Sequence, residues 1–260
     1  MATTTQKEIV EKLLDNLFLE EDKELQKWTV WHFSIEKALF SLHAFDPSQE
    51  PHFLIRKDQL FVVGVDRYHP RQLCIYHIST KGTKLVCKAN FSGRIMICGV
   101  LNENKIVVHD STDRVVIYDI IKRKKIAEKK IVDFQKAFYF GNTKSLMLLK
   151  GQENVDLLPG QTQSQGGQML VIIPADCEDF ENLLEIPITY GFSDYSYNPD
   201  DTSLTIHSER RSYSQYDSEY DHGKGVIEAC TDIWKIGISK AELISSYKWI
   251  KNNFSETQQE

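Results

Sequence analysis

Residues 109–120 read HDSTDRVVIYDI. His109-Asp110 leads into a polar turn over Ser111-Thr112-Asp113, and the apolar run Val115-Val116-Ile117-Tyr118 follows, closed by Asp119 and Ile120. A short run of β-branched and aromatic residues between turn residues is a strand signal. The end of this run, Ile117-Tyr118-Asp119-Ile120, is one of five copies of a pattern. The others are Val30-Trp31-His32-Phe33, Ile75-Tyr76-His77-Ile78, the degenerate Val171-Ile172-Ile173, and Ile233-Trp234-Lys235-Ile236. From Trp31 to Tyr76 is 45 positions, and from Tyr76 to Tyr118 is 42.

Working outward, the stretch 52–150 divides into strand-sized pieces. FLIRK, QLFVVGV, QLCIYHI and KLVCKANF form one set; RIMICGVL, KIVVHD, RVVIYDI and KIAEKKIV form the next; KAFYFG and SLMLLKG open a third. Polar turns such as Asn102-Glu103-Asn104 and Lys122-Arg123-Lys124 separate them. Four short strands per repeat of this length suit an antiparallel blade of a β-propeller. Parallel βαβ units would need a helix between strands, and none is signalled. The expected fold is therefore all-β, a propeller-like repeat domain of four-stranded antiparallel blades over 28–250, preceded by an α-helix. Residues 28–45 read better as two strands than as helix. The anchors at 31, 76, 118, 172 and 234 count four full units and a partial first one.

Four segments stand outside the repeats. Residues 1–27 carry Ile9, Val10, Leu13, Leu14, Leu17 and Phe18 at the spacing of one helix face. They predict an amphipathic helix, with Thr5 and Glu8 as its capping box. Its stripe, with Leu13 and Leu17 at its centre, serves equally to pack on the chain's own domain or to dock on another chain. Residues 151–168 and 207–225 predict inserted loops, the first rich in Gln and Gly, the second in Tyr, Ser and charge. Residues 251–260 read as a polar tail.

The segment 109–120 resembles the third-strand region of a WD-repeat blade, where a polar turn with Asp precedes an apolar strand ending in Trp-Asp or Tyr-Asp. Residues 30–43 and 233–247 look like the equivalent strand, turn and outer strand. Residues 196–206, SYNPDDTSLTI, resemble the inner-blade turn of WD or TolB-type propellers. The resemblance implies a rigid, non-catalytic protein-interaction scaffold or adaptor within a larger complex. The Gly-His dipeptide of WD repeats is missing from every unit, so the family's Asp–His relay is not carried over. A partner chain that completes the propeller is one reading of the blade count, since incomplete arrays leave strand edges open.

Composition narrows the alternatives. The net charge of −6 and the pI near 5.8 argue against a nucleic-acid partner. The five cysteines form no CxxC and no secretory signal precedes them, which points to a reducing, cytoplasmic setting. No apolar stretch is long enough to span a bilayer. Asp217, Glu219, Asp221 and His222 form the densest group of hard ligands, but their spacing completes no calcium loop. No metal or cofactor is expected. There is no G-x-S-x-G, P-loop or dinucleotide fingerprint. A hydrolase or lyase would need polar side chains gathered around His109 or His207, and an F-box-like adaptor would need the Leu-Pro that the first helix lacks.

The expected binding residues are Arg67, Tyr68 and Arg71 in one loop, and Arg210, Arg211, Tyr213, Tyr216 and Tyr220 in the second insertion. Leu13 and Leu17 join them from the helix. Tyr and Arg supply large amphipathic contact area and dominate many interfaces.

Overall fold

The computed structural model of the 260-residue chain describes residues 17–22, 27–32, 37–42, 45–56, 59–79, 82–140, 145–151, 167–181, 183–213, 225–237 and 240–252. These form five antiparallel sheets in which each strand pairs with its neighbour in sequence. The first has three strands: β1 (Leu17–Asp22), β2 (Lys27–His32) and β3 (Lys37–Leu42). Four four-stranded blades follow. The second blade holds β4 (His52–Arg56), β5 (Gln59–Val65), β6 (Gln72–Ser79) and β7 (Gly82–Asn90). The third holds β8 (Ile95–Asn102), β9 (Lys105–Asp110), β10 (Arg114–Asp119) and β11 (Lys124–Lys130). The fourth holds β12 (Phe134–Phe140), β13 (Ser145–Gly151), β14 (Gln168–Ile173) and β15 (Leu184–Ile188). The fifth holds β16 (Gly191–Asn198), β17 (Ser203–Tyr213), β18 (Gly225–Ile236) and β19 (Ala241–Asn252).

Part of the expected N-terminal helix is strand. Leu17–Asp22 pairs with β2, with Phe18 opposite Trp31 and Leu19 opposite Val30. A local three-and-four period gives way here to pairing with a neighbouring strand. Residues 1–16, including Leu13, lie outside the described residues. The second insertion is also shorter than expected: Ser203–Tyr213 and Gly225–Ile236 are strands, and only 214–224 lie outside the description. Likewise Gly151 and Gln168 end and begin strands, and β19 runs through Asn252 into the expected tail.

The five sequence anchors occupy one structural position. Trp31, Tyr76, Tyr118, Ile172 and Trp234 all lie in the next-to-last strand of their sheets. Four of the five sit beside a β-bulge in the last hairpin. The register slips between Val30 and Trp31, between Ile75 and Tyr76, between Ile117 and Tyr118, and between Ile233 and Trp234. The extra residue on the last strand is Leu39, Val86, Ile126 or Ile244, apolar in every case. A bulge increases local twist and bends the strand that carries it. The blade whose anchor is the aliphatic Ile172 pairs β14 with β15 without a slip. Aromatic anchor and bulge thus travel together.

The chain packs as two units, residues 1–131 with 174–180, and residues 132–173 with 181–260. In the first, Leu54, Phe61, Val63, Leu73, Ile75, Ile95, Val108, Val116 and Tyr118 share one core between the second and third blades. The segment 174–180 is held on the third blade. Asn102 Nδ2 donates to the Ala175 carbonyl at 2.8 Å, and Lys105 Nζ donates to the Cys177 carbonyl at 3.0 Å and to Glu178 Oε1 at 2.6 Å. In the second unit, Met147, Leu170, Ile172, Ile186, Leu204 and Ile206 form the core, with Phe138, Phe192 and Trp234 packed on it.

The second blade buries both faces of β5, so its sequence is continuous apolar rather than alternating. Phe45 covers the second face with Leu60, Val62, Cys74 and Ile78, and meets Tyr76 edge-on with ring centroids 5.4 Å apart. This contact depends on Gly64, because a Cβ there would lie 2.6 Å from the Phe45 ring. Gly64→Ala is expected to cost about 1–3 kcal/mol by overpacking. Urea denaturation checks it, and the same change in a Phe45→Leu background is expected to cost less.

Candidate partner-binding surface

Two places present the residue types suited to binding. The first is the turn between β5 and β6, and it is built around Asp66. Residues Val65 and Leu73 close the ladder, and Asp66 turns its carboxylate back into the turn. Asp66 Oδ1 accepts from the Tyr68 and His69 backbone N–H groups at 2.9 and 3.1 Å, an arrangement that fixes the turn. Asp66 Oδ2 accepts from Lys88 Nζ at 3.0 Å and from the Cys74 thiol at 3.5 Å. Burial works to raise the Asp66 pKa, but these hydrogen bonds, led by that from Lys88, outweigh it and hold the carboxyl at about 2. Burial first, and then the Asp66 carboxylate, push the Cys74 thiol up to about 12. Cys74 is therefore a hydrogen-bond donor and not a nucleophile. On this frame Tyr68 is 77% exposed, with the Arg67 guanidinium 5.7 Å from its ring centre. Arg71 is exposed, and its carbonyl accepts the Phe91 N–H at 2.9 Å.

The second place is the fifth blade. Strand β16 pairs with β17 only from Asn198–Ser203 to Gly191–Glu209, whereas β17, β18 and β19 continue. A three-stranded extension results, with Arg210 opposite Glu228 and Glu228 opposite Ile250. Arg210 is tied down twice: its Nε donates to Glu228 Oε2 at 3.0 Å, and its guanidinium lies 4.9 Å from the Tyr190 ring centre. Below it, buried Asp232 accepts from Thr189 Oγ1 at 2.8 Å and from the Cys230 thiol at 3.3 Å. These polar contacts fasten the root of the extension to the connection from β15.

The outer strand of this extension is β19. Leu243, Ile244, Tyr247, Trp249 and Ile250 are 46%, 57%, 58%, 47% and 66% exposed. Tyr247 and Trp249 lie on one face of the strand and Leu243 and Ile250 on the other, so β19 exposes large apolar side chains on both faces. The other outer strands differ. β11 carries Lys124, Lys125, Lys129 and Lys130; β7 exposes Lys84 and Lys88; β15 has five residues and Pro187. Lysine, proline and shortness are the usual protections of a sheet edge. β19 has twelve residues and no proline, and its two lysines, Lys248 and Lys251, stand among more large apolar residues than those of β7.

The expected site residues thus divide. Arg67, Tyr68 and Arg71 share one ordered loop. Arg210, Arg211 and Tyr213 lie in β17 within the extension; Arg210 is engaged with Glu228. Tyr216, Tyr220 and Leu13 are outside the described residues, and Leu17 opens β1. The patch on β19 was not among the expected residues. Its signal in the sequence is ELISSYKWI over 242–250, which occupies an outer-strand position without the lysine density of KKIAEKK over 124–130.

His109 and His207 fall in different units, His109 in β9 and His207 in β17, where its Nδ1 lies 3.0 Å from Thr231 Oγ1. All five cysteines are free. Among the described residues no group of three or more His, Cys, Asp or Glu is placed to hold a metal ion, and no helix is long and apolar enough to cross a membrane.

No family model and no curated protein sequence matches the chain. Among solved structures it is similar to hydrazine synthase from Kuenenia stuttgartiensis, at 11% identity and a TM-score of 0.50 over 88% of this chain and 62% of that one. It is also similar to the WD40 domain of coronin from Toxoplasma gondii, at 6% identity and a TM-score of 0.52 over 91% of this chain and 56% of that one. The chain therefore spans less than two thirds of the length of either. A complex of KlAtg21 with the coiled-coil of AgAtg16 aligns at 13% identity with a TM-score of 0.35 over 90% of this chain and 95% of that one, too loosely to bear on fold or function. The likeness to the WD40 domain, with the four four-stranded antiparallel sheets, fits a propeller-like fold.

The Asp66 frame has a pH signature. Its folded pKa of about 2 lies below the ordinary 3.8, so the stability it gives is present above about pH 4 and is lost as pH falls toward 2. Asp66→Asn is expected to cost about 2 kcal/mol at neutral pH. Acid titration of both proteins checks this: their stability difference narrows below pH 4, whereas a constant difference would contradict the assignment.

Proposed function

We propose that this chain is a non-catalytic protein-interaction module, a scaffold or adaptor subunit that holds another polypeptide on its fifth blade. The observation that carries the reading is the exposure of Leu243, Ile244, Tyr247, Trp249 and Ile250 on a long outer strand. A strand edge offers backbone N–H and C=O groups for strand addition, and the side chains on it supply specificity. The aromatic pair Tyr247 and Trp249 is of the type that anchors interfaces. The ordered Arg67-Tyr68 turn is a second, smaller surface of the same composition. The blades supply rigidity: their cores are buried and their turns are tied by carboxylates such as Asp66, Asp110 and Asp119.

The test is recovery of bound protein by the tagged full chain from native extract. The comparison is a variant with Leu243→Thr, Tyr247→Thr and Ile250→Thr, in which threonine keeps the strand propensity and removes the apolar area. A stoichiometric associated polypeptide is expected with the unchanged chain and not with the variant, while both give the same circular dichroism. Equal recovery by the two proteins, or a clean bait, contradicts the reading.

A further inference from the structure

Resting on that reading of β19 as the binding edge, we infer that its occupant is a second copy of this chain, paired antiparallel through β19 about a two-fold axis beside Tyr247. The argument is one of register. Two identical strands related by an axis perpendicular to their sheet run antiparallel, and residues opposite each other must lie on the same face, so the register moves only in steps of two. The pairing of β19 with β18 fixes which residues share a face. Tyr247, Trp249 and Ser245 are opposite Thr231, Ala229 and Ile233; Ser246, Lys248 and Ile250 are opposite Asp232, Cys230 and Glu228. Beyond the bulge residue Ile244, Leu243 returns to the face of Ile250, and Glu242 returns to that of Trp249 and Lys251.

With Tyr247 opposite its own copy, Ser246 meets Lys248 and Ser245 meets Trp249. Past Ile244, Leu243 meets Ile250 and Glu242 meets Lys251. Leu243 thus falls opposite Ile250, Trp249 opposite a small serine, and an acid opposite a base at each end of the ladder. The neighbouring registers lack this match. One sets Lys248 opposite Lys248, and like charges directly opposite are destabilising. The other sets Leu243 opposite Lys248 and Glu242 opposite Trp249. Of these three registers, the one centred on Tyr247 alone sets acid opposite base and keeps like charges apart. A symmetric pair of this kind closes on itself, which removes the open edge without building a filament.

Sedimentation of the full chain through the micromolar range tests this, with circular dichroism as the control for folding. A concentration-dependent dimer is expected. Glu242→Lys alone and Lys251→Glu alone each place like charges opposite, and each is expected to weaken the dimer by about five-fold. The two changes together restore it. Tyr247→Cys is expected to give a covalent dimer on mild oxidation, because residues opposite each other bring their Cβ atoms within disulfide reach, whereas Ser245→Cys is not. A dimer indifferent to the charge exchange, or no dimer at any concentration, overturns the inference. The function proposed above fails separately: a monomeric chain that still loses a different bound protein through the threonine changes overturns the second copy alone. A chain whose associations ignore β19 overturns both.

Discussion

The outer edge of each four-stranded sheet is the constraint on which the structure turns. A sheet that ends in a strand leaves backbone donors and acceptors with no partner in the chain, and those groups attract another strand. Three of the four complete blades answer this locally. β11 surrounds its edge with lysines, β7 exposes Lys84 and Lys88, and β15 is short and carries Pro187. The fifth blade differs in degree: its outer strand is the longest among the described residues and exposes five large apolar side chains beside Lys248 and Lys251.

The interior explains how such an edge is held out rigidly. The root of β17–β19 is built into an apolar core through Leu204, Ile206 and Trp234. A buried polar group follows, in which Asp232 takes hydrogen bonds from Thr189 and Cys230. Arg210 and Glu228 then brace the free part of the extension. The bulge at Ile244 bends β19 beside Trp234, within the four-stranded part of the blade. The same bulge recurs beside every aromatic anchor, so the device belongs to the blade and is put to use in the fifth copy. Asp66 plays the corresponding part at the first-unit loop, where one carboxylate fixes a turn and receives a lysine and a thiol.

Much of the fold was legible in the sequence because strand periodicity and turn chemistry are local. The anchors 31, 76, 118, 172 and 234 marked one strand in each sheet, and the three-stranded first sheet matches the partial unit that their count implied. Asp200-Asp201 was readable as a turn, and Asp201 indeed accepts from the Ser203 N–H at 3.0 Å. The errors came where pairing outranks local pattern. Leu17–Asp22 has helical periodicity but pairs with β2, and His207–Tyr213 has loop composition but continues a ladder. The candidate surface was half visible. Arg67, Tyr68, Arg210 and Arg211 were chosen by residue type, which a single sequence reveals. The β19 patch depends on which strand lies at an edge, a property of topology that residue type does not carry.

The most direct measurement is residue-resolved amide hydrogen exchange on the full chain, comparing the outward-facing amides of β19 with those of β11 at high and low protein concentration. The account predicts slow exchange along β19 at high concentration, faster exchange on dilution, and fast exchange along the outer side of β11 throughout. Outward amides of β19 that exchange as fast as those of β11, whatever the concentration, would contradict the claim that this edge is made to be covered.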